Sequence, residues 1–185
     1  MTTLADREVA RGERVVLREK RLGDAYDDQR WRTQWELSRY DAAQPVRMSY
    51  QEYLALYRQE LLSPNPYRRS LAIDDEDGRH IGNVMYYNID TLRQEAEMGI
   101  TIGERRCWGM GYGTEAVRLL LDHLVGRLGF RRVSLKTLAW NRRARRCFEK
   151  AGFVECGRAQ RGPNQFFLME LRREWLAATE RTTTS

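Results

Sequence analysis

The chain has 185 residues, enough for one domain with a sizeable core and too few for two domains of independent function. Its 32 basic and 26 acidic residues leave a formal net charge of +6, a mixed surface rather than a polycation; no named nucleic-acid-binding module accompanies it, so no nucleic-acid partner is expected. No apolar run approaches a membrane span, Met1 to Glu8 lack the apolar stretch of a signal peptide, Cys107, Cys147 and Cys156 are widely spaced, and His80 and His123 are the only histidines. The expectation is a cytoplasmic protein with reduced cysteines, no membrane association and no metal.

Residues 1–12 read as a flexible polar start. Arg14 to Glu19, with Val15, Val16 and Leu17, has the composition of a short strand. From Asp24 to Tyr40 and from Ser49 to Leu62, aromatic and apolar residues recur at helical spacing: Tyr26, Trp31 and Trp35, then Tyr50, Tyr53, Leu54, Tyr57 and Leu61. Most of Trp31, Trp35, Tyr50, Tyr53 and Tyr57 are expected in the core. Ser49 and Glu52 have the spacing of a capping box, and Ser63-Pro64-Asn65-Pro66 stops the second helix. Leu71 to Ile73 and Ile81 to Ile89 flank Asp74-Asp75-Glu76-Asp77-Gly78, which predicts a hairpin with a solvated acidic turn.

Glu95 to Ile102 alternates strictly, with Ala96, Met98, Ile100 and Ile102 on one face and Glu95, Glu97, Gly99 and Thr101 on the other. After a glycine-rich bend, Ala116, Val117, Leu120, Leu121, Leu124, Val125 and Leu128 form a helical stripe that Gly129 ends. Arg132 to Leu138 reads as a buried strand, Asn141 as the N-cap of a helix that Gly152 closes, and Phe153 to Arg158 and Gln165 to Leu171 as the last strands. Residues 177–185 read as a disordered tail, which leaves 13–176 as the single domain.

The bend Cys107-Trp108-Gly109-Met110-Gly111-Tyr112-Gly113-Thr114-Glu115-Ala116 joins a strand to a long helix. Amides in the first helical turn have no intrahelical partner and lie at the positive end of the macrodipole, where a phosphate can sit without a cationic side chain. Glycine lets that backbone approach a ligand closely. Neither a Walker loop nor a dinucleotide-binding fingerprint fits the spacing.

The order of these pieces resembles the GCN5-related N-acetyltransferase family, especially the branch that acetylates the amino termini of ribosomal proteins. Trp108 to Gly113 align with the family's acetyl-coenzyme A loop, Q/R-x-x-G-x-G/A, except at its first position, and Trp108 to Ala116 match the branch form W-G-x-G-Y-A/G-T-E-A throughout. Asn141-Arg142-Arg143-Ala144 and Glu149-Lys150-Ala151-Gly152-Phe153 match the later motif. The resemblance implies a single α/β (α+β) domain with a mixed, mostly antiparallel, twisted sheet of about six or seven strands flanked by about four helices.

The resemblance also implies transfer of an acetyl group from acetyl-coenzyme A, in a ternary complex, to a primary amine, either a protein amino terminus or a small amine such as a polyamine or aminoglycoside. It places the pyrophosphate near Trp108 and on the amides of Gly109, Met110, Gly111, Tyr112, Gly113 and Thr114. Main-chain groups of Ile100 and Ile102 would serve pantetheine, and Asn141 would contact the same arm, cap a helix, or do both. Glu97 is the candidate general base, with Glu95 as the competing candidate and a cross-strand ion pair as the structural alternative. Phe148 stands where many relatives carry a proton-donating tyrosine.

Arg105 and Arg106 are the arginines expected near phosphate, while Arg142, Arg143, Arg145 and Arg146 read as a solvated face. Packing is the expected role of Cys147. A non-catalytic acetyl-coenzyme A sensor and an RNA-associated protein stay open as other classes, and so does homodimer assembly.

Overall fold

Strict alternation in the strand sequences and long apolar stripes in the helices produce a sheet with helices on both faces. The computed structural model describes residues 7–175. The strands are β1 (Glu8–Arg11), β2 (Val16–Glu19), β3 (Arg68–Asp74), β4 (His80–Asp90), β5 (Glu95–Ile102), β6 (Arg132–Leu138), β7 (Val154–Arg161) and β8 (Asn164–Arg172). They form one eight-stranded sheet in the order β1-β2-β3-β4-β5-β6-β8-β7. Every neighbouring pair is antiparallel except β5 and β6.

The eighth strand is β1, which falls within the segment expected to be flexible. It pairs with β2 through a bulge between Glu8 and Ala10 and buries Ala10. Four residues, two charged and two apolar, are too few to show a period, so their pairing is specified by the neighbouring strand. Residues 1–6 and the expected tail at 177–185 lie outside the described residues.

Among the described residues five α-helices accompany the sheet: α1 (Ala25–Arg32), α2 (Trp35–Tyr40), α3 (Tyr50–Leu62), α4 (Tyr112–Leu121) and α5 (Arg142–Lys150). The helix expected over 24–40 is two, because Gln34 takes an extended conformation, and the chain restarts at Trp35. That break alters the fate of the aromatics. Trp31 is buried under Gly103, where a Cβ would come within 2.0 Å of the indole, while Trp35 is 64% exposed. Tyr53 and Tyr57 are buried, whereas Tyr26 and Tyr50 are exposed and pack edge to face, so Trp31, Tyr53 and Tyr57, three of the five aromatics expected to lie mostly in the core, are there.

Ser49 and Glu52 form the expected capping box of α3. The stripe of α4, carried on by a π-helical turn over Asp122–Arg127, buries Ala116, Val117, Leu120, Leu121, Leu124 and Val125 in the main core with Leu17, Ile73, Val84 and Met98. The opposite sheet face meets α1 to α3 through polar groups, including Asn83 to Asp28 at 2.6 Å. The acidic turn is more than solvated. Asp74 and Asp75 are both buried, Asp74 on Arg18 and Asp75 as acceptor of the Arg79 amide.

Candidate active site

Parallel strands β5 and β6 pair only from Glu95 with Arg132 to Glu97 with Ser134, and beyond that point they separate. The upper half of β5 therefore pairs with β4 on one side and is open on the other. Gly103 donates its amide to Ile81 on the β4 side, while the Ile102 carbonyl accepts from the Trp108 indole at 2.7 Å. Strand alternation turns the main-chain groups of Ile100 to the same open side as that carbonyl. The cleft that begins here has a volume of about 1550 Å³ and is lined by Ile100, Ile102, Trp108, Gly109, Gly111, Gly113, Thr114 and Asn141 among others.

At the bend, Gly109 and Gly111 have φ of +75° and +94°, and Gly111 is the left-handed N-cap of α4. No hydrogen bond from the amides of Gly109, Met110 or Gly111 is found among the described residues, and Tyr112, Gly113 and Thr114 form the first turn of α4. These residues turn amides without partners among the described residues toward the positive end of a helix, a geometry suited to an anion. The N-terminal region braces the bend: Arg14 donates to the Met110 carbonyl at 3.0 Å, and Glu115 accepts the amides of Arg14 and Val15.

Asn141 caps α5 by accepting from Ala144 at 3.1 Å, and its Nδ2 donates to no described residue while lining the cleft. One side chain can thus hold the helix and meet a ligand. Arg105 and Arg106 are engaged elsewhere, Arg105 with Glu36 and Arg106 with Asp75. Arg143 departs from the expected solvated face: its guanidinium lies 3.7 Å from the Trp108 ring centre and 5.0 Å from that of Tyr40. Tyr40 in turn packs on both Trp108 and Trp140, closing α2 onto the mouth of the cleft.

Glu97 is held on three sides. Tyr87 donates to it at 2.9 Å, Asn88 at 3.2 Å, and Lys136 forms an ion pair at 3.1 Å. The cross-strand pair thus exists, with lysine as the cation, while Tyr87 and Lys136 themselves line the cleft. Burial, with Glu97 next in importance, raises the Tyr87 phenol and keeps it protonated. Glu95 pairs with Arg132 at 3.2 Å, where β5 and β6 are still joined.

A carboxylate that local sequence gives no reason to select also faces the cleft. Asp41, just beyond α2, accepts from Thr101 of β5 at 3.4 Å. The residue is exposed through the cleft mouth, yet protein crowds its carboxyl. Loss of solvation raises its pKa to about 6 against the opposing effects of Thr101 and Arg32. A loop aspartate 60 residues away in sequence carries no period or motif to announce it.

Phe148 is buried and packs edge to face on Phe153, so no hydroxyl occupies that position. Burial raises the Cys147 thiol, consistent with packing rather than nucleophilic attack. Among the described residues, no group of three or more His, Cys, Asp or Glu side chains is arranged to hold a metal, and no helix is long and apolar enough to cross a membrane.

Comparison with known proteins gives a consistent picture. The family model described as an acetyltransferase (GNAT) domain matches residues 14–154. A putative ribosomal N-acetyltransferase, YdaF, of Bacillus subtilis (strain 168) is 29% identical over 106 residues, covering 54% of this chain and 57% of that relative. The match therefore spans less than two thirds of the relative's length. A spermidine N-acetyltransferase from Vibrio cholerae, solved with CoA and spermine, superposes with a TM-score of 0.76 at 22% identity over 86% of this chain and 96% of that one. The aminoglycoside acetyltransferase AAC(6')-Ib, solved with coenzyme A, gives 0.74 at 20% identity over 90% and 99%.

Proposed function

The chain belongs to the acetyltransferase (GNAT) domain family, and from that premise we propose that it transfers the acetyl group of acetyl-coenzyme A directly to a primary amine held in the same cleft. The observation that carries this reading is the separation of β5 from β6 immediately beside a helix N-terminus with unpaired amides. One end of the cleft suits a diphosphate and the other an extended amide-bearing arm.

The amides of Gly109 to Thr114 hold the pyrophosphate, the open main chain of Ile100 and Ile102 and the Asn141 Nδ2 align the arm, and Trp108 fixes the bend through its bond to Ile102. An ammonium must lose a proton before nitrogen can attack the thioester carbonyl. Glu97 receives that proton by way of the Tyr87 hydroxyl, which donates to it and borders the cleft. A backbone amide near Ile100 stabilises the negative charge that develops on the carbonyl oxygen. Collapse of the tetrahedral intermediate expels the thiolate, and Phe148 supplies no proton to it.

Asp41 supports a second proton route, because a carboxyl with a pKa of about 6 combines basicity with ionisation at neutral pH. The two routes predict different pH profiles. The enabling experiment is a thermal-shift titration with acetyl-coenzyme A followed by mass spectrometry of an amine and peptide panel: stabilisation with a gain of one acetyl group on an amine supports the reading, and absence of any stabilisation refutes it.

A further inference from the structure

The acceptor end of the cleft lies between the sheet and helices α1 and α3. Its floor is set by register. Arg68 of β3 lies opposite Tyr87 of β4, which lies opposite Glu97 of β5; the next row is Ser70, Met85 and Gly99, and the next Ala72, Asn83 and Thr101. Directly opposed residues share a sheet face, so Arg68 occupies the same face as the Tyr87 and Glu97 pair. Arg32, at the end of α1, lines the cleft near Tyr53 of α3, whose phenol pKa burial raises and the charge of Arg32 lowers.

The charges here are unevenly matched. Among all cleft-lining residues ten are basic and four acidic, the acids being Glu19, Asp28, Asp41 and Glu60. Glu19 is held by Arg69 at 3.1 Å. Asp28 is held by Lys20 at 2.6 Å, by Tyr57 at 3.0 Å and by Asn83. Glu60 is exposed on α3, and Asp41 stands beside Thr101, where the charge of Arg32 reaches it without a direct ion pair and burial holds its pKa up to about 6. On the basic side, Arg32 and Arg68 form no ion pair with any described residue, and Lys136 presents its paired ammonium to the cleft while its partner Glu97 does not line it.

We propose that the acceptor is a primary amine that also carries an anionic group, a carboxylate or phosphate, which Arg32 and Arg68 receive while the amine faces the Tyr87 and Glu97 pair. The assignment rests on the acetyl-transfer reading above and adds the acceptor class. Guanidinium groups suit both anions through two parallel N–H bonds. Their charge has a second effect on the chemistry: a cation near the bound amine disfavours its ammonium form and raises the fraction of nucleophilic nitrogen. A polycationic acceptor would meet repulsion from the same side chains. The spermidine and aminoglycoside enzymes that share the fold take acceptors of the opposite charge.

The test measures acetyl transfer by the full chain to γ-aminobutyrate, O-phosphoethanolamine, a free acidic amino acid and a peptide with an amino-terminal Ser-Glu sequence, with spermidine and kanamycin as cationic comparators. A preference for the carboxylate-bearing or the phosphate-bearing amines identifies which anion is used. The expected result is higher kcat/KM for an anionic acceptor, falling as salt is raised. Arg32→Ala and Arg68→Ala should each raise its KM roughly tenfold, the effect of losing one charge-assisted hydrogen bond, with acetyl-coenzyme A affinity unchanged.

Arg68→Glu should shift preference toward spermidine, a gain that misfolding would not produce. A protein that binds acetyl-coenzyme A but prefers spermidine or kanamycin, or turns over none of these amines, overturns the acceptor assignment alone. A protein that shows no acetyl-coenzyme A binding overturns the underlying acetyl-transfer reading as well.

Discussion

Glu115 Oε1 accepts the backbone amide of Arg14 at 2.8 Å, joining the glycine bend to a segment 101 residues earlier in the chain. The same oxygen takes the Val15 amide at 3.1 Å, and Arg14 returns a bond to the Met110 carbonyl. The bend is thus braced by the segment leading into β2 as well as by its own glycines. Glu115→Ala leaves two partly buried amides without an acceptor and is expected to cost about 1–3 kcal/mol of stability, read from urea unfolding, and to weaken acetyl-coenzyme A binding in calorimetry. An unshifted midpoint with unchanged affinity would show that the brace is dispensable.

For the proton route, Glu97→Gln and Tyr87→Phe should lower kcat by about 10²–10⁴-fold, the usual range for removal of a general base, with little change in cofactor affinity. The two changes interrupt one relay, so the double variant should lose little more than the worse single one. Multiplicative losses would show that Tyr87 and Glu97 act separately.

Asp41 makes a prediction about pH. If its carboxylate takes the proton, kcat/KM rises with pH through about 6, and Asp41→Asn removes that limb. Stability moves in the other direction. The folded-state pKa lies above the ordinary value of 3.8, so the native protein binds more protons than the unfolded chain between these values. Its contribution to stability falls as pH rises through that window, and Asp41→Asn should flatten the dependence. A wild-type profile unchanged by the substitution in both measurements returns the base role to Glu97.

Local rules made much of this architecture legible. Strict alternation marked Glu95 to Ile102, a buried apolar run marked Arg132 to Leu138, and side-chain capping marked Ser49 and Asn141, because each signal is contained within a few consecutive residues. The bend was legible because Gly109 and Gly111 adopt backbone conformations that favour glycine. Partners distant in sequence were not. Arg105 with Glu36, Arg106 with Asp75 and Arg143 over Trp108 arise from the approach of separate elements, and no spacing along the chain encodes them. The same holds for Asp41, whose raised pKa results from how α2 meets β5. Strand β1 was hidden for a different reason: four residues contain too little pattern to tell a strand from a loose terminus.

The two bend glycines should respond differently to substitution. At Gly109 a Cβ meets nothing within 4 Å, so Gly109→Ala retains the fold at the cost of backbone strain at φ +75° and intrudes on the approach to the phosphate. At Gly111 the Cβ would come within 2.8 Å of Arg14 Nη2 at φ +94°, so Gly111→Val disturbs the brace before any ligand arrives. Calorimetry and thermal unfolding separate them: Gly109→Ala mainly weakens acetyl-coenzyme A binding, whereas Gly111→Val also lowers the Tm of the ligand-free protein. Equal loss of Tm in both would remove the distinction.

Arg18 anchors the polar layer on which the acceptor side rests. Its buried guanidinium donates to both oxygens of Asp24 at 2.9 Å and to Asp74 at 2.6 and 2.9 Å. Burial opposes the charge, but these bonds outweigh it and raise the Arg18 pKa; the Arg18 bond likewise helps to hold Asp24 below the ordinary carboxylate range despite burial. Arg18→Met removes the shared cation and leaves two buried carboxylates, at an expected cost of about 3–5 kcal/mol near neutral pH. A depressed carboxyl pKa contributes stability above its unfolded value and loses that contribution as pH falls through the folded one. Without Arg18, Asp24 takes up a proton more readily in the folded state, so the deficit of the variant should narrow as pH falls into the carboxylate range. Urea unfolding of both proteins across that range measures the gap, and a gap independent of pH would mean that lost packing, rather than unpaired charge, accounts for the destabilisation.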